Sequence, residues 1–144
     1  MLPLDELYQE VILDHYKNPK NQGTIENPDY KGHGVNPLCG DDVEIWIKLE
    51  NGKIKSLKSI GKGCAVSQAS LSMMGEALQG KSIEEARQAV EKFKKGMLEG
   101  GELHFEEYPD LEALEGVKKF PVRIKCAVLP WNTFLEALES HPSA

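Results

Sequence analysis

The sequence lacks the long apolar segments of a membrane or secreted protein. A membrane-spanning helix needs about 20 consecutive apolar residues, and no such run occurs in the 144 residues. The first residues, 1–6, show no basic region followed by an apolar stretch, which is the pattern of a secretory signal. We therefore expect no membrane segment and a cytoplasmic location.

Cysteine and positive charge are also scarce. There are only three cysteines and no Cys-x-x-Cys pair, which disfavours a disulfide framework, a thioredoxin-type redox pair and a zinc ribbon. The chain has 17 basic and 23 acidic residues, which gives a formal net charge of −6. Because nucleic-acid binding relies on basic side chains that neutralise phosphates, we expect no nucleic-acid partner.

The remaining composition is that of an ordinary folded domain. Hydrophobic residues make up 40% of the chain and charged residues 28%, which is typical of soluble globular proteins. A chain of this length can bury a core of its own. We expect residues 1–144 to form a single domain.

The hydrophobic pattern predicts an α+β fold. Alternating apolar residues predict strands over 43–49 and 53–60, joined by the hairpin signal Asn51–Gly52, and an irregular second strand that allows a bulge. Helical spacing predicts helices before this hairpin and after it, with the helices packed on one face of a small antiparallel sheet. The first helix uses Leu4, Leu7, Tyr8, Val11, Ile12 and His15. Residues 18–42, rich in Gly, Pro and Asn, are expected to form a long loop.

The later helices follow from capping signals. Cys64 is expected to open a helix that ends at Gly80, and Ser82 begins another through a capping box with Glu85. Asp110 is expected to cap a short helix. In the last part of the chain we expect a short strand over 122–124, then a helix after Cys126 with Pro130 in its first turn.

The three cysteines lie at junctions between these elements. Cys39 and Asp41 precede the first strand of the hairpin and Cys64 follows the second, so hairpin topology alone brings them to the same end of the sheet. Cys126 can join them only through tertiary packing. The simpler alternative is three unrelated buried thiols, since cysteine is often a core residue.

Three thiols and a carboxylate form a ligand set for Zn²⁺ or for an iron–sulfur cluster. Cys64 and Cys126 are both expected at helix N-termini, where the positive end of the helix dipole lowers the pKa of a thiol. Among the histidines, His15 is expected to be a core or rim residue with its hydrogen bonds satisfied. His33 lies in the predicted loop, from which it can approach the cysteines.

The cysteine motifs resemble those of a known family, the iron–sulfur cluster assembly scaffolds of the IscU, SufU and NifU N-terminal type. The similar segments are Leu7–Asn21, Pro37-Leu38-Cys39-Gly40-Asp41, Gly63-Cys64-Ala65 and Lys125-Cys126-Ala127. In the IscU branch a histidine precedes the third cysteine, and a Leu-Pro-Pro-Val-Lys chaperone-binding sequence is present. Here Lys125 and Phe120-Pro121-Val122-Arg123 occupy those places, which is closer to the SufU branch.

The resemblance implies an α+β fold with the metal site at one end, and Cys39, Asp41, Cys64 and Cys126 as ligands of Zn²⁺. It implies a zinc-binding protein that accepts persulfide sulfur from a pyridoxal-phosphate cysteine desulfurase. Because Cys39 lies on the predicted loop, we expect its thiolate to be the acceptor. That role would make the chain a zinc-dependent sulfurtransferase. The alternative is a scaffold on which a transient [2Fe–2S] or [4Fe–4S] cluster is assembled and passed to apo-proteins or carriers. A third reading gives zinc a purely structural role.

Overall fold

The computed structural model of this protein describes residues 10–139, which form an α+β fold with a three-stranded antiparallel sheet. Its first helix is described over Glu10–Lys17 (α1), so Leu4, Leu7 and Tyr8 of the predicted helix lie outside the described residues. The strands are β1 (Tyr30–Asn36), β2 (Asp41–Glu50) and β3 (Lys53–Lys62), in the order β1-β2-β3. The remaining helices are α2 (Ala65–Leu78), α3 (Ile83–Leu98), a 3₁₀ helix (Pro109–Lys119) and α4 (Pro121–Glu139).

One face of the sheet carries the core. The alternate residues Val43, Ile45 and Ile47 of β2 are fully buried. Helix α4 packs against β1 and β2, and α2 packs against β3. The α3–α4 contact includes Phe93 stacked on Trp131, with ring centroids 4.1 Å apart. Over residues 10–139, no helix combines the length and the apolar character needed to cross a bilayer.

The predicted hairpin is confirmed. Asn51 and Gly52 both have positive φ, at 55° and 77°, as a two-residue hairpin turn requires. The pairing of β2 with β3 shifts register between Lys48 and Leu49, which is the irregularity predicted for the second strand. At the far end of the hairpin Asp42 is paired with Lys62, so the segments before β2 and after β3 lie side by side.

The expectation of a continuous loop over 18–42 is wrong, because β1 lies inside it. The strand was hidden by its glycines, which leave no alternation of apolar side chains. These glycines are required by close packing under α4. A Cβ at Gly32 would lie 2.8 Å from both the Ala137 Cβ and the Thr133 carbonyl oxygen, and a Cβ at Gly34 would overlap the Thr133 hydroxyl.

Helix caps are confirmed at two of the three predicted places. Cys64 is the N-cap residue of α2, and Ser82 with Glu85 forms the complete capping box of α3. Asp110 does not cap the 3₁₀ helix, whose N-cap residue is Tyr108. Its carboxylate instead lies 3.0 Å from His15 Nε2.

His15 is a satisfied core residue, as expected. The residue is 2% exposed, and its Nδ1 lies 2.7 Å from the Ser72 hydroxyl. Together with the Asp110 contact, this ring joins α1 to α2 and to the 3₁₀ helix.

The predictions for the last segment are wrong in three respects. Residues 122–124 are helical rather than a strand, because α4 begins at Pro121, where a fixed φ and a missing N–H suit the first helical position. Cys126 therefore lies within α4 rather than before it. Pro130 lies in the helix interior, and its missing N–H removes the usual i+4 donor to the Cys126 carbonyl.

We expect Gly32→Ala to lower the free energy of unfolding by about 1–3 kcal/mol, because the new methyl group must displace α4. Urea denaturation measures the change. Gly101→Ala is the matched control, since a Cβ there meets nothing within 4 Å. Equal effects of the two substitutions would contradict this account of β1.

Candidate metal centre

The turn between β1 and β2 carries the first two predicted ligands. Its backbone is closed by two hydrogen bonds, from Cys39 N to the Asn36 carbonyl at 3.2 Å and from Gly40 N to the Pro37 carbonyl at 3.4 Å. Gly40 has φ of 70°, a conformation that glycine adopts at no steric cost. Cys39 is thereby half-buried at the tip of the turn, and Asp41 is 2% exposed at the start of β2.

The third predicted ligand, Cys64, lies where β3 passes into α2. Its sulfur accepts a hydrogen bond from the Ser67 N–H at 3.5 Å, as an N-cap side chain does. The preceding Gly63 has φ of 139°, and a Cβ there would lie 2.7 Å from the Asp41 Cα. Glycine at this position therefore allows the two segments to touch.

Asp41 joins these segments through one of its two carboxylate oxygens. Oδ1 accepts hydrogen bonds from the Cys64 N–H and from the Ser67 hydroxyl, each at 2.9 Å. Oδ2 is buried and has no hydrogen-bond partner among residues 10–139. A buried oxygen without a partner costs free energy, so an electropositive ligand at this position would satisfy it.

Cys126 reaches the same place from α4. Ligand atoms of Cys39, Asp41 and Cys126 all lie within 4.8 Å of one another. The Cys126 side chain is fully buried, and the Asn36 side-chain amide lies 3.6 Å from its sulfur. Two thiols and the Asp41 carboxylate thus form a donor set that fits a thiophilic metal ion such as Zn²⁺.

The prediction that the pKa of the Cys126 thiol is lowered is wrong. Burial raises the pKa of this thiol, and contacts with Asp41, Cys39 and Cys64 raise it further. The helix-dipole argument fails because Cys126 is inside α4, where its sulfur faces the Val122 carbonyl at 3.8 Å. A cation among these ligands would act in the opposite direction, since it favours the thiolate.

Cys64 lies beside this group rather than within it. The cluster with ligand atoms no more than 4.8 Å apart contains Cys39, Asp41 and Cys126 only, among the residues described. Cys64 remains in electrostatic contact with Cys126 and donates its N–H to Asp41. Its place in the ligand set therefore stays a prediction.

His33, Arg123 and Lys125 lie near the cysteines in the sequence or the fold, and each has a different relation to the cluster. His33 is not in the cluster, and its Nε2 lies 2.8 Å from Asp42 on the exposed side of the sheet. Arg123 Nη1 lies 3.7 Å from the Cys39 sulfur. Lys125 is exposed on α4.

Sequence reasoning gave no role to Asn36 or Ser67, which contact Cys126 and Asp41. For Ser67 a signal was available, because it lies three residues after an N-cap and at that position a backbone N–H faces the cap. For Asn36 no local signal exists, because its contact depends on how α4 packs.

Comparison with known protein families identifies the family of this chain. The sequence profile described as the NifU-like N terminal domain matches residues 7–127, which include all three cysteines. The chain belongs to the NifU-like N-terminal domain family.

Relatives of this NifU-like chain include proteins of both predicted kinds. The "Zinc-dependent sulfurtransferase SufU" of Bacillus subtilis is 45% identical over 130 residues, covering 90% of this chain and 87% of the relative. The "Iron-sulfur cluster assembly scaffold protein IscU" of Streptococcus pyogenes is 39% identical over 142 residues, covering 98% and 88%. These relatives place the chain among the iron–sulfur cluster assembly proteins of the scaffold and SufU type.

A solved structure confirms the fold. The crystal structure of FiSufU from Fervidobacterium islandicum, assigned as an iron–sulfur cluster assembly scaffold protein for the SUF system, superposes with a TM-score of 0.85. The two chains are 36% identical, and the match covers 93% of this chain and 98% of FiSufU. The resemblance and the α+β fold predicted from the sequence are therefore both confirmed.

We expect Ser67→Ala to lower the free energy of unfolding of this NifU-like domain by about 1–3 kcal/mol at neutral pH, because a buried carboxylate oxygen loses a donor. Chemical denaturation followed by circular dichroism measures the loss. Ser56→Ala on β3, a half-buried serine, is the control and should change stability little. A Ser67 variant as stable as the Ser56 variant would show that Asp41 does not depend on this hydrogen bond.

Proposed function

We propose that this protein is a zinc-binding acceptor of persulfide sulfur in iron–sulfur cluster biogenesis, with Cys39, Asp41, Cys64 and Cys126 as the zinc ligands. Two observations carry the proposal: a carboxylate oxygen of Asp41 lies within 4.8 Å of the Cys39 and Cys126 sulfurs, and the buried Oδ2 of the same residue has no hydrogen-bond partner among residues 10–139. A carboxylate and cysteine sulfurs are ligands that tetrahedral zinc accepts. Zinc bound there would hold the thiols deprotonated at neutral pH.

Cys39 is the residue we assign as sulfur acceptor. Cys126 is buried within α4, whereas Cys39 and Cys64 are both half-buried. Cys64 is fixed as the N-cap residue of α2, where its sulfur accepts from the Ser67 N–H, and Cys39 lies on the β1–β2 turn. The neighbouring Leu38 is 78% exposed. A partner protein can therefore reach the Cys39 sulfur with less rearrangement than either other sulfur.

The transfer itself needs only a thiolate and a persulfide. The Cys39 thiolate attacks the outer sulfur of a persulfide on the desulfurase cysteine, and a new sulfur–sulfur bond forms on Cys39. The original sulfur–sulfur bond breaks, and the desulfurase cysteine leaves as a thiolate. The exchange is redox-neutral, and Arg123 can donate an N–H to the sulfur that carries negative charge.

The surface around Cys39 is suited to a protein partner. Val35, Leu38 and Val122 are exposed apolar residues near the turn and the start of α4, and exposed apolar side chains grouped together are typical of docking surfaces. We assign as partners a pyridoxal-phosphate cysteine desulfurase and, downstream, apo-proteins or carriers. We expect a cytoplasmic location, where the three free cysteines stay reduced.

The second candidate function is a scaffold on which an iron–sulfur cluster is the cargo. It is favoured by the 39% identity to the Streptococcus pyogenes scaffold over 98% of this chain. The same thiols would serve as cluster ligands. Lys125, which takes the place of the IscU-type histidine and is exposed, favours sulfur transfer instead.

We expect the purified chain to bind a single zinc ion, and each of Cys39→Ser, Asp41→Ala, Cys64→Ser and Cys126→Ser to weaken binding at least about tenfold. Competition with a chromophoric chelator measures the affinity. The control is Asp42→Ala, which removes a neighbouring carboxylate that faces His33 rather than the cluster. If Cys39→Ser binds zinc with wild-type stoichiometry and affinity, Cys39 is not a ligand.

We expect the zinc-loaded protein, incubated with a cysteine desulfurase and free cysteine, to gain one sulfur atom on Cys39. Peptide mass spectrometry locates the added sulfur. Cys39→Ser should gain none, while Asp42→Ala should behave as the wild type. A stable visible-absorbing cluster after anaerobic reconstitution, with no persulfide on Cys39, would instead support the scaffold function.

A further inference from the structure

A second pocket lies away from the three sulfurs, where the segment after α1 meets the end of β3 and the face of α2. Its volume is about 250 Å³. Its polar lining includes Lys20, Gln22, Ser59, Lys62 and Gln68. The sulfur chemistry proposed above uses none of these side chains.

Ser59 adds a hydroxyl to the wall of this pocket. The residue is 4% exposed, and its backbone N–H and carbonyl are bonded to Asn21 and Gly23. Its hydroxyl makes no hydrogen bond with any residue of the described range 10–139. The other buried hydroxyl in the wall, that of Ser72, is already engaged by His15 and by the Lys20 N–H.

The pocket is positively charged in an acidic protein. Lys20 and Lys62, both exposed, line its mouth, no Asp or Glu does, and neither lysine is in an ion pair within the described part of the chain. The exposed Gln22 side chain adds an amide donor. The lining is therefore rich in donors and cationic, although the whole chain has a formal charge of −6.

We propose that this pocket binds an oxyanion, a carboxylate or phosphate group carried by a small molecule. Ammonium groups bind such oxygens through charge-assisted hydrogen bonds, and the Ser59 hydroxyl in the pocket wall provides a further donor. The volume lies just below the roughly 300–1,000 Å³ of pockets for drug-sized ligands. It therefore suits a compact ligand.

The oxyanion pocket is distinct from the metal centre but adjacent to it. Gly63, which lines the pocket, also lies against Asp41. Gln68 donates to the Ser67 hydroxyl at 3.0 Å, and that hydroxyl donates to Asp41. The proposal does not depend on sulfur transfer, since it concerns a different set of side chains.

The test is a titration of the full chain with inorganic phosphate and, separately, with succinate, at ionic strength held constant with sodium chloride. We expect saturable shifts in the amide NMR signals of Gly61, Gly63 and Gln68 with at least one probe. The probe that saturates at lower concentration identifies the anion class. No saturable shift with either probe would overturn the proposal.

Variants locate the site. The double substitution Lys20→Gln/Lys62→Gln should weaken binding at least about tenfold, and Ser59→Ala about fivefold. The matched control is Lys94→Gln/Lys95→Gln on α3, which removes the same charge elsewhere and should leave the dissociation constant unchanged. Equal weakening in both double variants would mean a general charge effect and would overturn the site. Ser59→Ala keeps both lysine charges, so it tests the site even if the lysine variant is poorly folded. A Ser59→Ala variant with wild-type affinity for the anion would then overturn the site.

Discussion

The buried carboxylate of Asp41 is the interaction on which the metal centre depends. Its Oδ1 accepts hydrogen bonds from the Cys64 N–H and the Ser67 hydroxyl, which joins the start of β2 to the start of α2. The other oxygen, Oδ2, is buried and has no hydrogen-bond partner among the described residues. The same carboxylate therefore joins two segments of the fold and is available as a ligand atom for the proposed zinc ion.

The three cysteines differ in how firmly the structure holds them. Cys126 is buried inside a 19-residue helix, and Cys64 caps another helix. Cys39 lies on a four-residue turn and is only half-buried. Rigid elements that hold two sulfurs and a turn that presents the third are an arrangement suited to exchange at one position. Beside this centre, the oxyanion pocket shares Gly63 and the Gln68–Ser67–Asp41 hydrogen bonds.

Sequence reasoning succeeded where the signal was local. The Asn51–Gly52 hairpin, the Cys64 N-cap and the Ser82 capping box all depend on residues within a few positions of one another. It failed where a distant contact decided the outcome. Asp110 has the sequence context of a helix cap but contacts His15, 95 residues away in sequence. Strand β1 was not predicted because Gly32 and Gly34, which the packing of α4 requires, leave no alternation of apolar side chains.

The sequence by itself determined the hairpin, the helices that flank it and the meeting of Cys39, Asp41 and Cys64 at one end of the sheet, because adjacent antiparallel strands force those ends together. The cysteine motifs also determined the family. Only the tertiary structure decided that Cys126 joins from inside α4, that one Asp41 oxygen has no hydrogen-bond partner within residues 10–139, and that Cys64 lies beside the tight cluster. Packing across the sheet settles these points, because α4 reaches β1 at the distance that its glycines permit.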